Sequence, residues 1–306
     1  MIQLLDASSS EKSPVRARRG ERGVVVALLA IALAGQPPIM AIAQQPAPGD
    51  DRTITPRDTS HQKRHQTLFT YRDAALAAGF VGLTVAMFPV DKHIAGQLQN
   101  ENLTTNRFLE NSATGFESIA APGAYVIGGS LYLAGRLLRK PDLADLGWHG
   151  TEAVLLAYGV TGFLKGTLGR SRPFVSADTN PHDFRFGAGF STSERQSFPS
   201  GHTSTAFAAA AAVTSEIRRL YPKAAWYVAP VMYGGATMVG LSRMYHNKHW
   251  ASDVVLGAAV GTFSGLKVVR YSHAHPDNKV DRVILRTVIA PDGQGGAYLG
   301  FTLPAP

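Results

Sequence analysis

Three short clusters hold residue types suited to handling phosphate. Lys165 closes an apolar run and is followed by Arg172 and the helix-breaking Pro173. Phe198-Pro199-Ser200-Gly201-His202 leads directly into an Ala-rich run. Ser242-Arg243, His246, Lys248, His249 and Asp253 precede a further apolar run. A loop that feeds a helix start offers free backbone N–H groups, and Ser200 is a plausible N-cap there. Lys165, Arg172 and Arg243 supply positive charge, and arginine can grip phosphate oxygens in a bidentate way. His249 and Asp253 are four residues apart, so on one helix they share a face. A carboxylate in that position holds an imidazole in one tautomer. His202 is a second group that titrates near neutrality. Together these residues describe a phosphoryl-transfer site without a metal.

Each residue alone has a plainer explanation. A single Lys or Arg is usually a solvated surface charge. Ser200-Gly201 by itself is an ordinary helix cap, and a histidine in a first turn is usually at the surface. His246, His249 and Asp253 have a spacing that would also suit a helical metal site, but no further ligand stands nearby. His246 and Lys248 are expected to be exposed loop groups. The plain explanations weaken jointly, because three clusters that each suit phosphate would have to coincide.

The elements that must position these residues are mostly helical. The apolar segments Asp73–Val90, Ile119–Leu138, Ala153–Leu164, Thr203–Ile217, Ala224–Leu241 and Val254–Val269 are rich in Ala, Leu, Gly and Val and lack strand-like alternation. Gly234, Gly235, Gly257 and Gly261 would let such helices approach closely. Several segments are near the length of a membrane span, but most are short or flanked by charge, so a soluble bundle and marginal spans both fit. Towards the end, Arg282–Ile289 is β-branched, a Gly-rich turn follows, and Ala297–Leu303 alternates. That pattern predicts a hairpin. The expected fold class is all-α, a helical bundle of about six core helices with a short C-terminal β-hairpin.

The 306 residues include no cysteine, which excludes disulfide scaffolds, thiolate metal sites and cysteine nucleophiles. A 45% hydrophobic and 17% charged chain is neither disordered nor fibrous. Residues 1–43 combine five basic residues, an apolar run over 23–34 and Ala41-Ile42-Ala43, the pattern of an export signal. An uncleaved anchor is the competing reading. The formal charge is +8; without residues 1–43, which hold five basic and three acidic residues, +6 remains. That suits an anionic substrate or a lipid surface, though ordinary surface charge explains it as well. Residues 44–66 read as a linker, 67–272 as the helical-bundle domain and 273–306 as the hairpin tail. The basic residues are scattered and no nucleic-acid-binding motif is present.

Lys165…Arg172-Pro173, Pro199-Ser200-Gly201-His202 and Ser242-Arg243…His249…Asp253 resemble the three-part signature of the type 2 phosphatidic acid phosphatase and vanadium haloperoxidase superfamily. The resemblance spans about Lys165 to Asp253. It implies a helical bundle with the site at its top and a phosphatase needing no cofactor or metal. It implies His249 as nucleophile forming a phosphohistidine, Asp253 orienting it, and His202 as general acid and then base. Lys165, Arg172, Ser200, Gly201 and Arg243 would bind the phosphate oxygens. The implied substrate is a phosphomonoester, most naturally a lipid phosphate such as phosphatidate or polyprenyl diphosphate. The export pattern then implies an exported protein, periplasmic or in the inner membrane with its site facing the periplasm. The loop Ser176–Gln196 would cover the site or merely connect its neighbours. Three alternatives are a broad-range soluble acid phosphatase, a vanadate-dependent haloperoxidase, and a non-catalytic scaffold of the same fold. Haloperoxidases of the family are usually much longer chains, and intact His202, His249 and Asp253 argue against a scaffold.

Overall fold

The architecture follows from a computed structural model that describes residues 67–285 except 177 and 277, together with the backbone of 287–291 and 297–301. The expected export signal and linker lie outside the described residues. The first helix, α1 (Tyr71–Met87), starts at a reciprocal cap. Thr70 Oγ1 accepts from the Asp73 amide at 3.3 Å, and Asp73 Oδ2 accepts from the Thr70 amide at 2.7 Å. A 3₁₀ turn with Pro89 leads into α2 (Asp91–Leu98). The short α3 (Glu101–Thr104) and α4 (Arg107–Ser118) are capped by Asn100 and Asn106. A π-turn containing Pro122 joins α4 to α5 (Ala124–Leu137).

Four helices form the centre: α6 (Pro141–Leu168), α7 (Gly201–Leu220), α8 (Ala225–Tyr245) and α9 (Ala251–Ala274). Helix α7 lies among the other three and packs most extensively along α9. The reason is a stripe of small residues. A Cβ placed on Gly257, Gly261 or Gly265 would meet the Ser200, Ser204 or Ala208 carbonyl at 2.5, 2.1 and 2.6 Å. No side chain larger than hydrogen fits those positions at this separation. Gly257 and Gly261 therefore act as the sequence suggests, whereas Gly234 and Gly235 have nothing within 4 Å and draw no helix close. Ala153, Ala157, Ala208, Ala212, Val268 and Val269 fill the core between α6, α7 and α9.

The expected fold class needs correction. The body holds more than six helices, because α2, α3, α4 and a last short helix, α10 (Lys279–Leu285), were not marked by apolar runs. Helix α4 (RFLENSATGFES) is polar on most of its surface, so it gives no run to see. The body contains no strand, so the β-hairpin is not one of its elements. Half of the predicted first strand is helix: Arg282–Leu285 belong to α10, because Asn278 Oδ1 accepts from the Asp281 amide at 2.9 Å and starts a turn there. Beyond α10 the described backbone pairs β1 (Thr287–Pro291) with β2 (Ala297–Phe301) and adds them to no sheet of the body. Such an isolated pair is marginal.

Candidate active site

The C-terminal end of α6, the N-terminal ends of α7 and α9, and the turn after α8 meet at one end of the bundle. All three sequence clusters arrive there. Lys165 Nζ donates to the Gln196 carbonyl at 2.6 Å, and Arg172 Nε donates to the Ser193 carbonyl at 2.9 Å. Both cations are thus held by the loop 176–196, which also packs Phe190 onto Gly166; a Cβ there would lie 2.1 Å from the ring. The chain leaves α6 at Gly169, whose left-handed φ of 59° and contact with the Arg185 carbonyl exclude a side chain. Asp183 fastens the loop, accepting from Arg195 at 2.7 Å and from Ser171 Oγ at 2.9 Å.

Ser200 occupies the N-cap position but does not act as one. Its hydroxyl accepts from Thr203 Oγ1 at 2.8 Å and makes no bond to the helix backbone. No side chain therefore caps the first amides of α7, which leaves them for an anion. The Ser200 amide instead donates to the Asp253 carbonyl at 2.9 Å, which ties the start of α7 to α9.

His249 departs from the expected geometry. Helix α9 begins at Ala251, so His249 lies in the preceding turn and not on the helix of Asp253. Its Nδ1 stands 2.8 Å from the Ser197 carbonyl and 3.4 Å from Asp253 Oδ2. A ring nitrogen facing a carbonyl must carry the proton, so Nε2 keeps the lone pair. Asp253 works mainly on the frame. Its Oδ2 accepts from the Trp250 amide at 2.8 Å and Ser197 Oγ at 2.5 Å. Burial, followed by the charges of Lys165, Arg172 and Arg243, holds His249 well below the usual imidazole range. Burial and then Arg243 push His202 down to about 4. Burial and then Arg172 push Lys165 down to about 7.

Two site residues were not foreseen. Arg170 is wholly buried, and its Nη1 donates to Asp253 Oδ1 at 2.5 Å and Ser252 Oγ at 2.7 Å. Nη2 reaches Asp91 Oδ2 at 2.7 Å, and the guanidinium lies over the Phe88 and Phe184 rings. Nothing in Gly169-Arg170-Ser171-Arg172 marks which arginine is internal, and its partner Asp91 is distant in sequence. Glu117 of α4 pairs with Arg243 and, at 2.8 Å, with His246 Nδ1; its Oε1 is 3.9 Å from His202 Nε2. His246 is therefore a partner of Glu117 and not an exposed loop group, while Lys248 lies over the Phe174 ring. With His246 turned to Glu117 and His249 to Ser197, these two histidines and Asp253 do not share a metal position.

One end of the helical bundle thus gathers three cations, two histidines and an uncapped helix start. Residues 147–277 match the model of the PAP2 superfamily. A lipid A 1-phosphatase of Porphyromonas gingivalis is 48% identical over 69 residues, which are 22% of this chain and only 15% of that relative's length. Two solved structures are similar. A transmembrane PAP2 type phosphatidylglycerolphosphate phosphatase from Bacillus subtilis has a TM-score of 0.47 at 21% identity, covering 69% of this chain and 99% of that one. LpxE from Aquifex aeolicus has 0.44 at 22% identity, covering 60% and 96%.

Proposed function

We propose that this chain is a phosphatase that hydrolyses lipid phosphomonoesters through a phosphohistidine on His249. One observation carries the reading: His249, with Nδ1 committed to the Ser197 carbonyl, stands among the charges of Lys165, Arg172 and Arg243. A neutral imidazole with a free Nε2 lone pair amid three cations is a nucleophile facing the place of a phosphoryl group.

In the first step Nε2 attacks phosphorus, the P–O bond to the alcohol breaks, and His202 gives its proton to the leaving oxygen. In the second, His202 takes a proton from water, the hydroxide attacks phosphorus, and the P–N bond breaks to free phosphate and His249. The three cations and the α7 amides balance the charge on the equatorial oxygens. Without substrate, His202 is neutral at pH 7 because burial and the neighbouring cations disfavour a further charge. A bound phosphate dianion offsets those cations and restores the proton His202 must donate. Glu117 occupies Arg243 until a phosphate competes for it.

A lipid substrate is supported by apolar surface. Leu155, Tyr158 and Phe163 on α6, and Trp226, Tyr227 and Val231 on α8, are exposed. A set of large side chains left in the open suits a membrane or lipid interface. Two helical stretches, Tyr71–Leu98 and Ala251–Ala274, are long and apolar enough to cross a bilayer, although the second is largely buried in the bundle. The basic and apolar pattern of residues 1–43 supports export, which would place the site on the periplasmic side.

The test is phosphate release from a lipid and a soluble phosphomonoester by wild type and His249→Ala protein, with acid-labile phosphoprotein trapped early in turnover. Release and trapping by the wild type alone, fastest on the lipid, is the expected result. Turnover that survives in His249→Ala would remove this assignment.

A further inference from the structure

At the opposite end of α6, α7 and α9 lies a second buried polar cluster. His149 of α6 and Glu216 of α7 are almost fully buried, and His273 of α9 closes the group from the partly exposed side. Glu216 Oε1 stands 2.6 Å from His149 Nδ1 and 2.7 Å from His273 Nε2. One atom from each residue lies within 4.8 Å of the others. At 1.5 Å per residue, roughly 20–30 Å of helix separates this cluster from the active site.

We propose that His149 Nδ1, Glu216 Oε1 and His273 Nε2 bind a divalent transition metal ion of the zinc type. Two imidazoles and one carboxylate form a ligand set that suits zinc, with a fourth position left for water. The surroundings call for a cation. Asp145, Glu152 and Asp281 lie around the cluster, and Arg219 stands 3.1 Å from Glu216 Oε2. The outer shell is in place as well. His149 Nε2 is buried without a hydrogen-bond partner and is aimed at Asp281 Oδ2, 3.6 Å away. A metal on Nδ1 fixes the proton on Nε2, so the ring would donate to Asp281, the carboxylate–histidine–metal arrangement of many zinc sites. Asp281 is itself held by Trp148 Nε1 at 2.9 Å and Asn278 Nδ2 at 2.6 Å. Ligands about 2.1 Å from a tetrahedral ion stand about 3.4 Å apart, so Glu216 Oε1 and the two ring nitrogens must separate by roughly 0.7–0.8 Å. The ion would bind the far ends of three core helices together and, through Asp281, dock α10 against them.

The experiment uses the full chain without a histidine tag. It is stripped with EDTA, dialysed against Zn²⁺, and assayed for bound metal and thermal midpoint; a parallel sample takes Co²⁺ for its visible absorption. The expected result is one zinc per chain, a higher midpoint with zinc, and tetrahedral-type cobalt bands. His273→Ala should stay folded and lose the zinc and the bands. Asp281→Asn should keep the zinc but weaken it about 10–100-fold, as loss of an outer-shell carboxylate does. A well-folded wild type without stoichiometric zinc, or a His273→Ala protein that binds zinc like the wild type, would overturn the site. These readouts do not use phosphate release, so they stand whatever becomes of the phosphatase reading.

Discussion

The two ends of α6, α7 and α9 each hold one buried and one partly exposed histidine, and their electrostatics are opposite. Around His202 and His249 the neighbours are Lys165, Arg172 and Arg243, and both rings are driven towards the neutral form. Around His149 the neighbours are carboxylates. Burial would lower its pKa, but Asp281 and Glu216 outweigh burial and raise it to about 9. Depth of burial therefore does not decide what a histidine does; the sign of the charges facing it does. A surplus of cations favours neutral imidazoles and suits an anion. A surplus of carboxylates gives a place for a cation.

The sharpest way to break the comparison is at His249, the proposed nucleophile. His249→Ala should lower kcat by about 10⁴-fold or more, the scale of losing a nucleophile that acts as part of a unit, while zinc uptake at the far end stays unchanged. Steady-state phosphate release beside metal analysis checks both halves. Removing one of the three cations, as in Arg243→Ala, should cost about 10²–10³ in kcat on the same assay.

A pH profile sharpens the picture further. In the proposed reaction Lys165 holds phosphate through its charge, and its pKa is pushed down to about 7, so the charge is present below that pH and lost above it. The kcat/KM should fall by about tenfold per pH unit above that point. Lys165→Arg, permanently charged, should flatten that limb; an unchanged limb would assign it to another group.

Stability separates the frame from the chemistry. Arg170→Met leaves Asp91 and Asp253 buried without their cation and should cost about 3–5 kcal/mol in denaturant unfolding. Gly261→Ala drives a Cβ against the Ser204 carbonyl and should cost about 1–3 kcal/mol. The smallest effect is expected from EDTA, which should leave phosphate release unaltered while lowering the thermal midpoint.

The candidate residues were legible because each sits in a short, dense cluster next to a helix boundary. Lys165, Arg172, Ser200, Gly201, His202, Arg243, His249 and Asp253 all reach one end of the bundle. Their connections were not legible. The i, i+4 spacing suggested a carboxylate–imidazole pair on one helix, yet α9 starts two residues after His249 and the Nδ1 proton goes to a carbonyl 52 residues upstream. The partnership of Arg170 with Asp91 spans 79 residues, and Glu117 lies on a polar helix that no apolar run announces.

Local chemistry wrote the central helices, their glycine stripe and the three phosphate-suited clusters into the chain, because periodicity, caps and residue types act over a few positions. Tertiary structure decided which arginine is buried, which group orients His249, and that Arg282–Leu285 is helix where β-branching pointed to strand. It also brought His149, Glu216 and His273 together from three helices. Those outcomes depend on contacts between distant segments, where packing and charge pairing outweigh local preference.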